Sequence, residues 1–257
     1  MTKLTSKNYY SQEANKAYWS ASFVKAMYDC PARALAELEG EYLQEDKTAL
    51  LVGGYVDSYF EGEKAFNQFM AENPIIFNSR TGELKAEFRK ADEMCARAEG
   101  DAVFMSYLTG QKQKIFTGTI DGIPFKCKMD FYKKGERIVD LKTVRNFEPQ
   151  YRKGEGLLSF AEYWRYPLQM AIYQQLEGHK LPCYLACISK ETPCDIDIIE
   201  IPQELMDAEL KALRSKLPYF DAMRQGIIEP ERCGHCAYCR QTKKVEMPSS
   251  LYDYQEF

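Results

Sequence analysis

The spacing of apolar and polar residues predicts helices in the first part of the chain and strands in the middle. Apolar residues at three- and four-residue intervals predict helices that begin at Ser20, near Ala32 and at Thr48. The charged, amphipathic stretch 84–108 is also predicted to be helical. The elements predicted after it are strands at 115–120, 125–132 and 137–143, a helix at 161–176, strands at 183–189 and 195–201, and a helix at 202–224. This order predicts an α/β fold in which helices flank a mixed central sheet.

Length and composition restrict the class of protein. A chain of 257 residues with 45% hydrophobic and 28% charged residues is typical of soluble globular proteins. We interpret residues 1–257 as one domain, with a polar N-terminal arm at about 1–20 and a cysteine-rich C-terminal segment at about 228–257. The net charge of −4 argues against a protein that coats nucleic acid non-specifically. No apolar run has the length of a membrane span and the N-terminus is unlike a signal peptide, so we expect a cytoplasmic protein without a membrane partner.

The most informative motif is a predicted hairpin with acidic residues on both strands. Residues 126–132 and 138–143 have strand character, and residues 133–136 between them resemble a turn. Because side chains alternate between the faces of a strand, Asp140 and Lys142 share a face, and strand pairing can bring Asp130 beside them. Two adjacent carboxylates favour a hard divalent cation such as Mg²⁺ or Mn²⁺, and a neighbouring lysine can orient water. For an isolated Asp-x-Lys triplet, the alternative is a solvated hairpin edge.

This arrangement resembles the core of the PD-(D/E)xK nuclease superfamily, in which one strand carries an Asp and the next carries Asp or Glu, one residue, and Lys. Gln169 and Tyr173 in the following helix resemble the Gln-xxx-Tyr pair of the RecB-like branch, although an ordinary amphipathic helix would have the same apolar positions. The resemblance implies a restriction-endonuclease-like core that hydrolyses phosphodiester bonds with the help of a metal. It implies catalytic residues Asp130, Asp140, Lys142, Gln169 and Tyr173, and metal ligands Asp130, Asp140 and the Leu141 carbonyl.

The N-terminal half resembles the RecE-type, exonuclease VIII-like proteins of phages and prophages. The residues that carry this resemblance are Ser20-Ala21-Ser22-Phe23-Val24-Lys25, Cys30-Pro31-Ala32-Arg33-Ala34 and Leu51-Val52-Gly53-Gly54. In that family a metal-binding His lies four residues after the first Gly. This chain has Asp57 there, which is either a metal ligand or a solvated helix residue.

The RecE-type resemblance implies an exonuclease that acts on double-stranded DNA ends in phage-type recombination. It also implies a homo-oligomer that works with a single-strand annealing protein. Two alternatives remain open. One is a restriction- or repair-type endonuclease of the same superfamily, and the other is a non-catalytic DNA-binding or scaffold protein that keeps the fold.

The nine cysteines are an odd number without an export signal, which favours free thiols or a metal site over a disulfide framework. Cys233, Cys236 and Cys239 follow one another at three-residue spacing, which suits zinc or an iron–sulfur cluster. Some RecB-like nucleases, such as the AddB proteins, hold an iron–sulfur cluster with one N-terminal and three C-terminal cysteines. The resemblance therefore implies Cys30 as the fourth ligand. The alternative is a group of unmetallated thiols.

Basic residues near the hairpin are candidate phosphate contacts. They are Lys126 and Lys128 in the first strand, and Arg145 and Arg165 after the second. The alternative is solvated charge that nearby glutamates balance.

Overall fold

The computed structural model describes residues 3–43, 48–245, 247–248 and 250–251. The ends of the predicted arm and of the cysteine-rich segment, residues 1–2 and 252–257, lie outside the described residues. The helices are α1 Gln12–Ala17, α2 Ala21–Asp29, α3 Pro31–Glu39, α4 Thr48–Glu61, α5 Glu63–Glu72, α6 Ala86–Glu99, α7 Ala102–Tyr107, α8 Phe160–Tyr163, α9 Tyr166–Glu177, α10 Gln203–Arg224 and α11 Ala237–Gln241. Among the described residues, no helix combines the length and the apolar composition that crossing a membrane requires.

The strands form a mixed five-stranded sheet and a separate small hairpin. The strands are β1 Gln111–Ile120, β2 Ile123–Lys133, β3 Arg137–Val144, β4 Gln150–Arg152, β5 Gly156–Leu158, β6 Cys183–Ser189 and β7 Ile196–Ile201. The sheet order is β1-β2-β3-β6-β7, and only the β3–β6 pair is parallel among the described strands. The parallel pair needs a crossover, and α8 and α9 provide it. β4 and β5 form the separate hairpin between β3 and α8.

Helices cover both faces of the sheet, as the long apolar character of β3 and β6 requires. On one face, α2, α9 and α10 pack on residues such as Ile138 and Leu185. On the other face, α4, α6 and α7 pack on residues such as Val139 and Leu141. The predicted α/β fold with a mixed sheet between helices is therefore confirmed.

Element boundaries differ from the sequence prediction where the backbone changes direction. The helix predicted over 161–176 is divided, because Arg165 has a left-handed backbone conformation with φ of 51° between α8 and α9. The stretch 84–108 is divided between α6 and α7, where Asp101 caps the second helix by accepting a hydrogen bond from the Phe104 amide. The sequence pattern does not predict five of the described elements, which are α1, α5, α11, β4 and β5. The two strands have three residues each, too few for a periodic pattern to appear.

The N-terminal segment lies against β2 rather than extending away from the sheet. Tyr9 and Trp19 are buried, and Trp19 forms a parallel bridge with Phe125. Lys126 in β2 donates hydrogen bonds from its ammonium to the Tyr9 carbonyl and to Asn15 Oδ1. The aromatic residues of this segment therefore supply apolar area that covers the sheet near the candidate site.

Candidate active site

The site forms where two neighbouring strands separate. β2 and β3 pair from Lys133 with Arg137 up to Phe131 with Val139, and the next two residues are Asp130 and Asp140. Beyond that point the backbone hydrogen bonds between β2 and β3 stop. The Leu141 amide donates instead to the side chain of Asp130, at 2.9 Å from its Oδ2. The amide and carbonyl of a strand residue point to the same side. The Leu141 carbonyl therefore faces the gap that contains Asp130.

The other neighbour of Asp130 is also irregular. The β1–β2 register pairs Lys112 with Phe131 and Lys114 with Met129, and omits the pair between them. Gln113 has a positive φ of 52° at this point. Its Nε2 donates a hydrogen bond to Asp130 Oδ1 at 3.0 Å. Asp130 is thus held from both sides by groups that fix its two oxygens.

Asp140 is the most buried acidic residue of the site, and α9 holds one of its oxygens. Its side chain is 2% exposed. Asp140 Oδ1 accepts a hydrogen bond from Gln169 Nε2 at 2.7 Å, and the same nitrogen is 3.0 Å from the Tyr173 hydroxyl. Lys25 Nζ, from α2, donates to Gln169 Oε1 at 2.7 Å. The structure therefore brings together Asp140, Gln169 and Tyr173, as their proposed roles require, and adds Lys25.

Lys142 pairs with the second oxygen of Asp140. Its Nζ forms an ion pair with Asp140 Oδ2, an atom that is buried and makes no hydrogen bond with good geometry to the described residues. Burial lowers the pKa of Lys142, but the carboxylates of Asp140 and Asp130 outweigh it and raise that pKa above its ordinary value. Lys142 is therefore a cation, and its side chain is 20% exposed, so it can reach a bound phosphate.

α4 adds a third carboxylate, Asp57. Gly53 lies one helical turn before Asp57, so both residues are on the same helical face. A Cβ at Gly53 would lie 3.8 Å from Thr143 Oγ1, which shows how closely this face approaches β3. Burial and the neighbouring Asp140 carboxylate raise the pKa of Asp57 to about 7, although Lys142 acts in the opposite direction. Burial, Asp140 and Asp57 also raise the pKa of Asp130 well above its ordinary value.

The donor set suits a hard divalent cation. The Asp140 carboxylate raises the pKa of both Asp57 and Asp130, so the three carboxylates repel one another without a cation. Asp140 Oδ2 is buried, and Lys142 forms an ion pair with it. Carboxylate and carbonyl oxygens are the ligands that Mg²⁺ and Mn²⁺ prefer. The oxygens of Asp57, Asp130, Asp140 and the Leu141 carbonyl are therefore donors of the kind that such an ion prefers. Among the described residues, however, only one group has ligand atoms that all lie within 4.8 Å of one another, the cysteines Cys30, Cys233, Cys236 and Cys239. Asp57 is half-buried and close enough to Asp140 for that carboxylate to raise its pKa. This position differs from that of a solvated helix residue.

The four predicted DNA contacts have different environments. Lys126 is 1% exposed and its ammonium is held by the N-terminal segment, so the predicted DNA contact at Lys126 is wrong. Strand alternation predicts a surface position for this lysine, but the segment before α2 covers its side chain. Lys128, two residues on, remains half-buried with its Nζ 4.6 Å from the centre of the Tyr10 ring. Arg145 is exposed, and Arg165 forms an ion pair with Glu155 at 2.9 Å.

Three residues of the site, Lys25, Gln113 and Tyr166, are not among those that the sequence motifs indicate. The Tyr166 ring centre lies 4.8 Å from Lys25 Nζ and 5.2 Å from Lys142 Nζ, so it separates two ammonium groups. Burial and the charge of Lys142 lower the pKa of Lys25 to about 7. Lys25 lies in the Ser-rich helix start that carries the RecE-type resemblance, which is the one signal that could have indicated it. Nothing in the spacing of Gln113 distinguishes it from other strand residues.

The four cysteines predicted to share a site do meet in space. Cys30, Cys233, Cys236 and Cys239 have sulfur atoms that all lie within 4.8 Å of one another. His235 is exposed, and its Nδ1 is 2.9 Å from the Cys233 carbonyl oxygen, so it is directed away from the sulfurs. The remaining cysteines are buried elsewhere in the core as free thiols.

Comparisons with known proteins agree with this geometry. Residues 20–242 match the model of the family described as a PDDEXK-like domain of unknown function (DUF3799). The crystal structure of a protein from Eubacterium rectale, described as a "putative exonuclease", is similar over 100% of this chain and 99% of that chain, with 41% identity and a TM-score of 0.94.

Two further comparisons add nothing to the assignment. A crystal structure of SSO0001 shares 16% identity over 73% of this chain and 84% of that one, with a TM-score of only 0.30. A search of curated proteins gave no match. The family match covers most of the chain and includes every strand of the sheet. The chain therefore belongs to the PDDEXK-like family DUF3799 and has the fold of the PD-(D/E)xK nuclease superfamily.

Proposed function

We propose that this protein is a Mg²⁺- or Mn²⁺-dependent deoxyribonuclease that removes nucleotides from double-stranded DNA ends. The observation that supports this most strongly is the group formed by Asp130, Asp140 and Lys142 at the point where β2 and β3 separate. A protein that only kept the fold would have no reason to bury carboxylates beside one another, because their mutual repulsion destabilises the folded state. The 41% identical structure described as a "putative exonuclease" supports the same class of activity.

Asp130, Asp140, the Leu141 carbonyl and Asp57 would hold the divalent ion. When bound, such an ion supplies Lewis-acid stabilisation of the phosphate and lowers the pKa of water. Gln113 and the Leu141 amide fix the orientation of the Asp130 carboxylate. Gln169 fixes that of Asp140 and is a positioning residue, because its own side chain is fully engaged by Asp140, Tyr173 and Lys25.

Lys142 would provide the positive charge that a phosphodiester requires, and Lys25, whose pKa is about 7, would add to that charge when it is protonated. In hydrolysis, a water oxygen forms a bond to phosphorus while the bond to one ester oxygen breaks, and negative charge grows on the phosphoryl oxygens. The Lys142 ammonium is cationic and partly exposed, so it can donate a hydrogen bond to such an oxygen or orient the attacking water. Lys25 contacts Gln169, which in turn contacts Asp140. Lys25 would therefore bind the same phosphate from the α2 side.

The preference for DNA ends and a place in phage-type recombination are parts of the same proposal. The RecE-type residues around α2 and α4 support both parts, and the description of the Eubacterium rectale protein as a "putative exonuclease" supports only an exonuclease activity. The RecE-type resemblance also supports assembly into homo-oligomers and cooperation with a single-strand annealing protein.

The proposal is tested by incubating the protein with linear duplex DNA and with the same duplex covalently closed. Linear DNA should be degraded to nucleotides with Mg²⁺ or Mn²⁺ and remain intact without either, and closed DNA should persist. Asp140→Asn and Lys142→Ala should each reduce cleavage by at least about 100-fold, since each group acts at the phosphate. Asp207→Asn, which changes an exposed ion pair on α10, is the matched control and should keep full activity.

Each alternative function predicts a different result in this assay. Cutting of the closed duplex would indicate an endonuclease. DNA binding without cleavage under every metal condition would indicate a non-catalytic DNA-binding protein. Full activity in Asp140→Asn would mean that the chemistry occurs elsewhere.

A further inference from the structure

Four thiols that are distant in the sequence converge near the start of α3. Cys30 lies between α2 and α3, and Cys233, Cys236 and Cys239 lie after α10 and within α11. The sulfur of Cys30 is 3.6 Å from that of Cys239, and the sulfur of Cys233 is 3.9 Å from that of Cys239. These distances are far longer than a disulfide bond of about 2.05 Å. All four residues are therefore thiols or thiolates around a common centre.

The distances between the sulfurs indicate how many metal ions this centre can hold. A tetrahedral zinc site has Zn–S bonds of about 2.3 Å, which places its sulfurs about 3.8 Å apart. The two measured distances lie on either side of that value, and every sulfur pair is within 4.8 Å. In a four-iron cluster each cysteine binds a different iron, so the cysteine sulfurs surround the whole cluster of iron and sulfide ions. Their separations must then be larger than those around a single ion. The centre between these four sulfurs has room for one ion only.

The backbone around the centre is arranged to stabilise thiolates. The Cys236 amide is 3.3 Å from the Cys233 sulfur, and the Cys239 amide is 3.4 Å from the Cys236 sulfur. Two of the four sulfurs thus accept amide hydrogen bonds, which favour the charged form that binds a metal.

The segment that contains three of the cysteines has little apolar area of its own. The cluster of buried residues at this point consists of Cys30, Ala32 and Cys239. Additional contacts are the hydrogen bond from the Ala32 amide to the Glu231 carbonyl and the packing of Tyr42 on Tyr238. Such a small cluster stabilises a segment weakly, so a bound ion would supply most of its attachment.

We propose that Cys30, Cys233, Cys236 and Cys239 bind one zinc ion in a tetrahedral site, and that this ion, rather than an iron–sulfur cluster, fixes the C-terminal segment to the α2–α3 junction. Because α2 also carries Lys25, the ion stabilises the helix that contacts Gln169. The proposal is independent of the nuclease activity.

The test begins with protein expressed in medium that contains both iron and zinc and purified without oxygen. Elemental analysis should give roughly one zinc per chain and negligible iron, and the protein should be colourless. Replacement of zinc by Co²⁺ should produce the thiolate-to-cobalt charge-transfer and tetrahedral d–d bands, which a cobalt ion on carboxylates would not give. Brown protein with iron and sulfide, or protein without either metal, would overturn the proposal.

Two variants locate the metal within the chain. Cys30→Ser should weaken zinc affinity by at least about 100-fold, because even changes outside the ligand shell cost 10–100-fold. Cys95→Ser removes an equally buried thiol in the core beside α4 and should keep one zinc per chain. If Cys30→Ser fails to fold, the zinc content and the Co²⁺ spectrum of the unaltered protein still decide the question. Equal zinc affinity in both variants would place the metal elsewhere.

Discussion

At the scale of single residues, Asp57 is the group whose charge most directly reports on the site. Its pKa in the folded protein is about 7, against an ordinary value of 3.8, because of burial and then the Asp140 carboxylate. Between these two pH values the folded protein retains a proton that the unfolded chain has lost. The free energy of unfolding therefore falls as the pH rises from about 3.8 to about 7.

This pH dependence of stability leads to a prediction for Asp57→Asn. The measurement is made in buffers from which a chelating resin has removed divalent ions. The variant lacks the titrating group, so its stability relative to the unaltered protein should increase as the pH rises through that window. Added Mn²⁺ should reverse the order, because an ion that binds only the folded state stabilises it and Asn is a poorer ligand. Thermal unfolding measured across the pH range tests this. A stability difference that does not depend on pH would contradict it.

Lys126 and Lys128 are two residues apart on one strand, but their environments predict different functions. Lys126→Met should lower the free energy of unfolding by about 1–3 kcal/mol, because the Tyr9 carbonyl and Asn15 would lose their donor. Lys128→Ala should leave stability nearly unchanged and weaken DNA binding. The slope of the logarithm of the binding constant against the logarithm of the salt concentration should become shallower by about 0.9, the value for one phosphate contact. Denaturant unfolding and DNA titrations at several salt concentrations measure the two effects. Equal losses of DNA affinity in both variants would contradict this assignment.

At the scale of elements, α4 shows how two adjacent glycines can have different roles. A Cβ at Gly54 would lie 2.9 Å from Phe69 Cε2 in α5, whereas a Cβ at Gly53 would meet Thr143 at an ordinary distance of 3.8 Å. Gly54 therefore permits close packing of α4 on α5. Gly53 faces β3 and has room for a methyl group.

The glycine pair gives a matched prediction. Gly53→Ala should raise the free energy of unfolding by up to about 1 kcal/mol, since alanine is the better helix former. Gly54→Ala should lower it by roughly 1 kcal/mol, because an overpacking cost of about 1–3 kcal/mol exceeds the gain in helix propensity. Denaturant unfolding of both variants measures the difference. The packing explanation fails if Gly54→Ala is as stable as Gly53→Ala.

Elements with a regular pattern could be predicted from the sequence, and those that depend on one backbone angle could not. The strands of the sheet and α10 follow apolar periodicity, so their positions agree with the prediction to within a few residues. The break between α8 and α9 depends on the left-handed conformation of Arg165, a residue type that does not favour it. That break sets where α9 begins, and thus which of its residues face Asp140.

At the scale of the whole molecule, the site is assembled from five separate parts of the chain. α2 supplies Lys25, α4 supplies Asp57, β1 supplies Gln113, the β2–β3 pair supplies two aspartates and Lys142, and α9 supplies Gln169. The hairpin and the Gln-xxx-Tyr spacing are local and could be found in the sequence. The contact of Lys25 with Gln169 joins residues 144 positions apart, and no local pattern indicates such a contact.

The burial of Lys126 also depends on contacts that are distant in the sequence. Its burial depends on a segment more than a hundred residues earlier, whose Tyr9 carbonyl accepts its hydrogen bond. Alternation along β2 predicts the face on which a side chain lies, but not what covers that face. Long-range packing therefore decides which lysines are available to DNA.

A crystal structure of the protein grown with Mn²⁺ would show whether Asp130 and Asp140 share a divalent ion. Anomalous scattering should place manganese between these two carboxylates and the Leu141 carbonyl, with metal–oxygen distances of about 2.0–2.6 Å. Asp57 should approach the same ion, and the peak should disappear in crystals of Asp140→Asn. Carboxylates that stay too far apart to share an ion, or manganese bound only elsewhere, would rule out a shared metal site at Asp130 and Asp140.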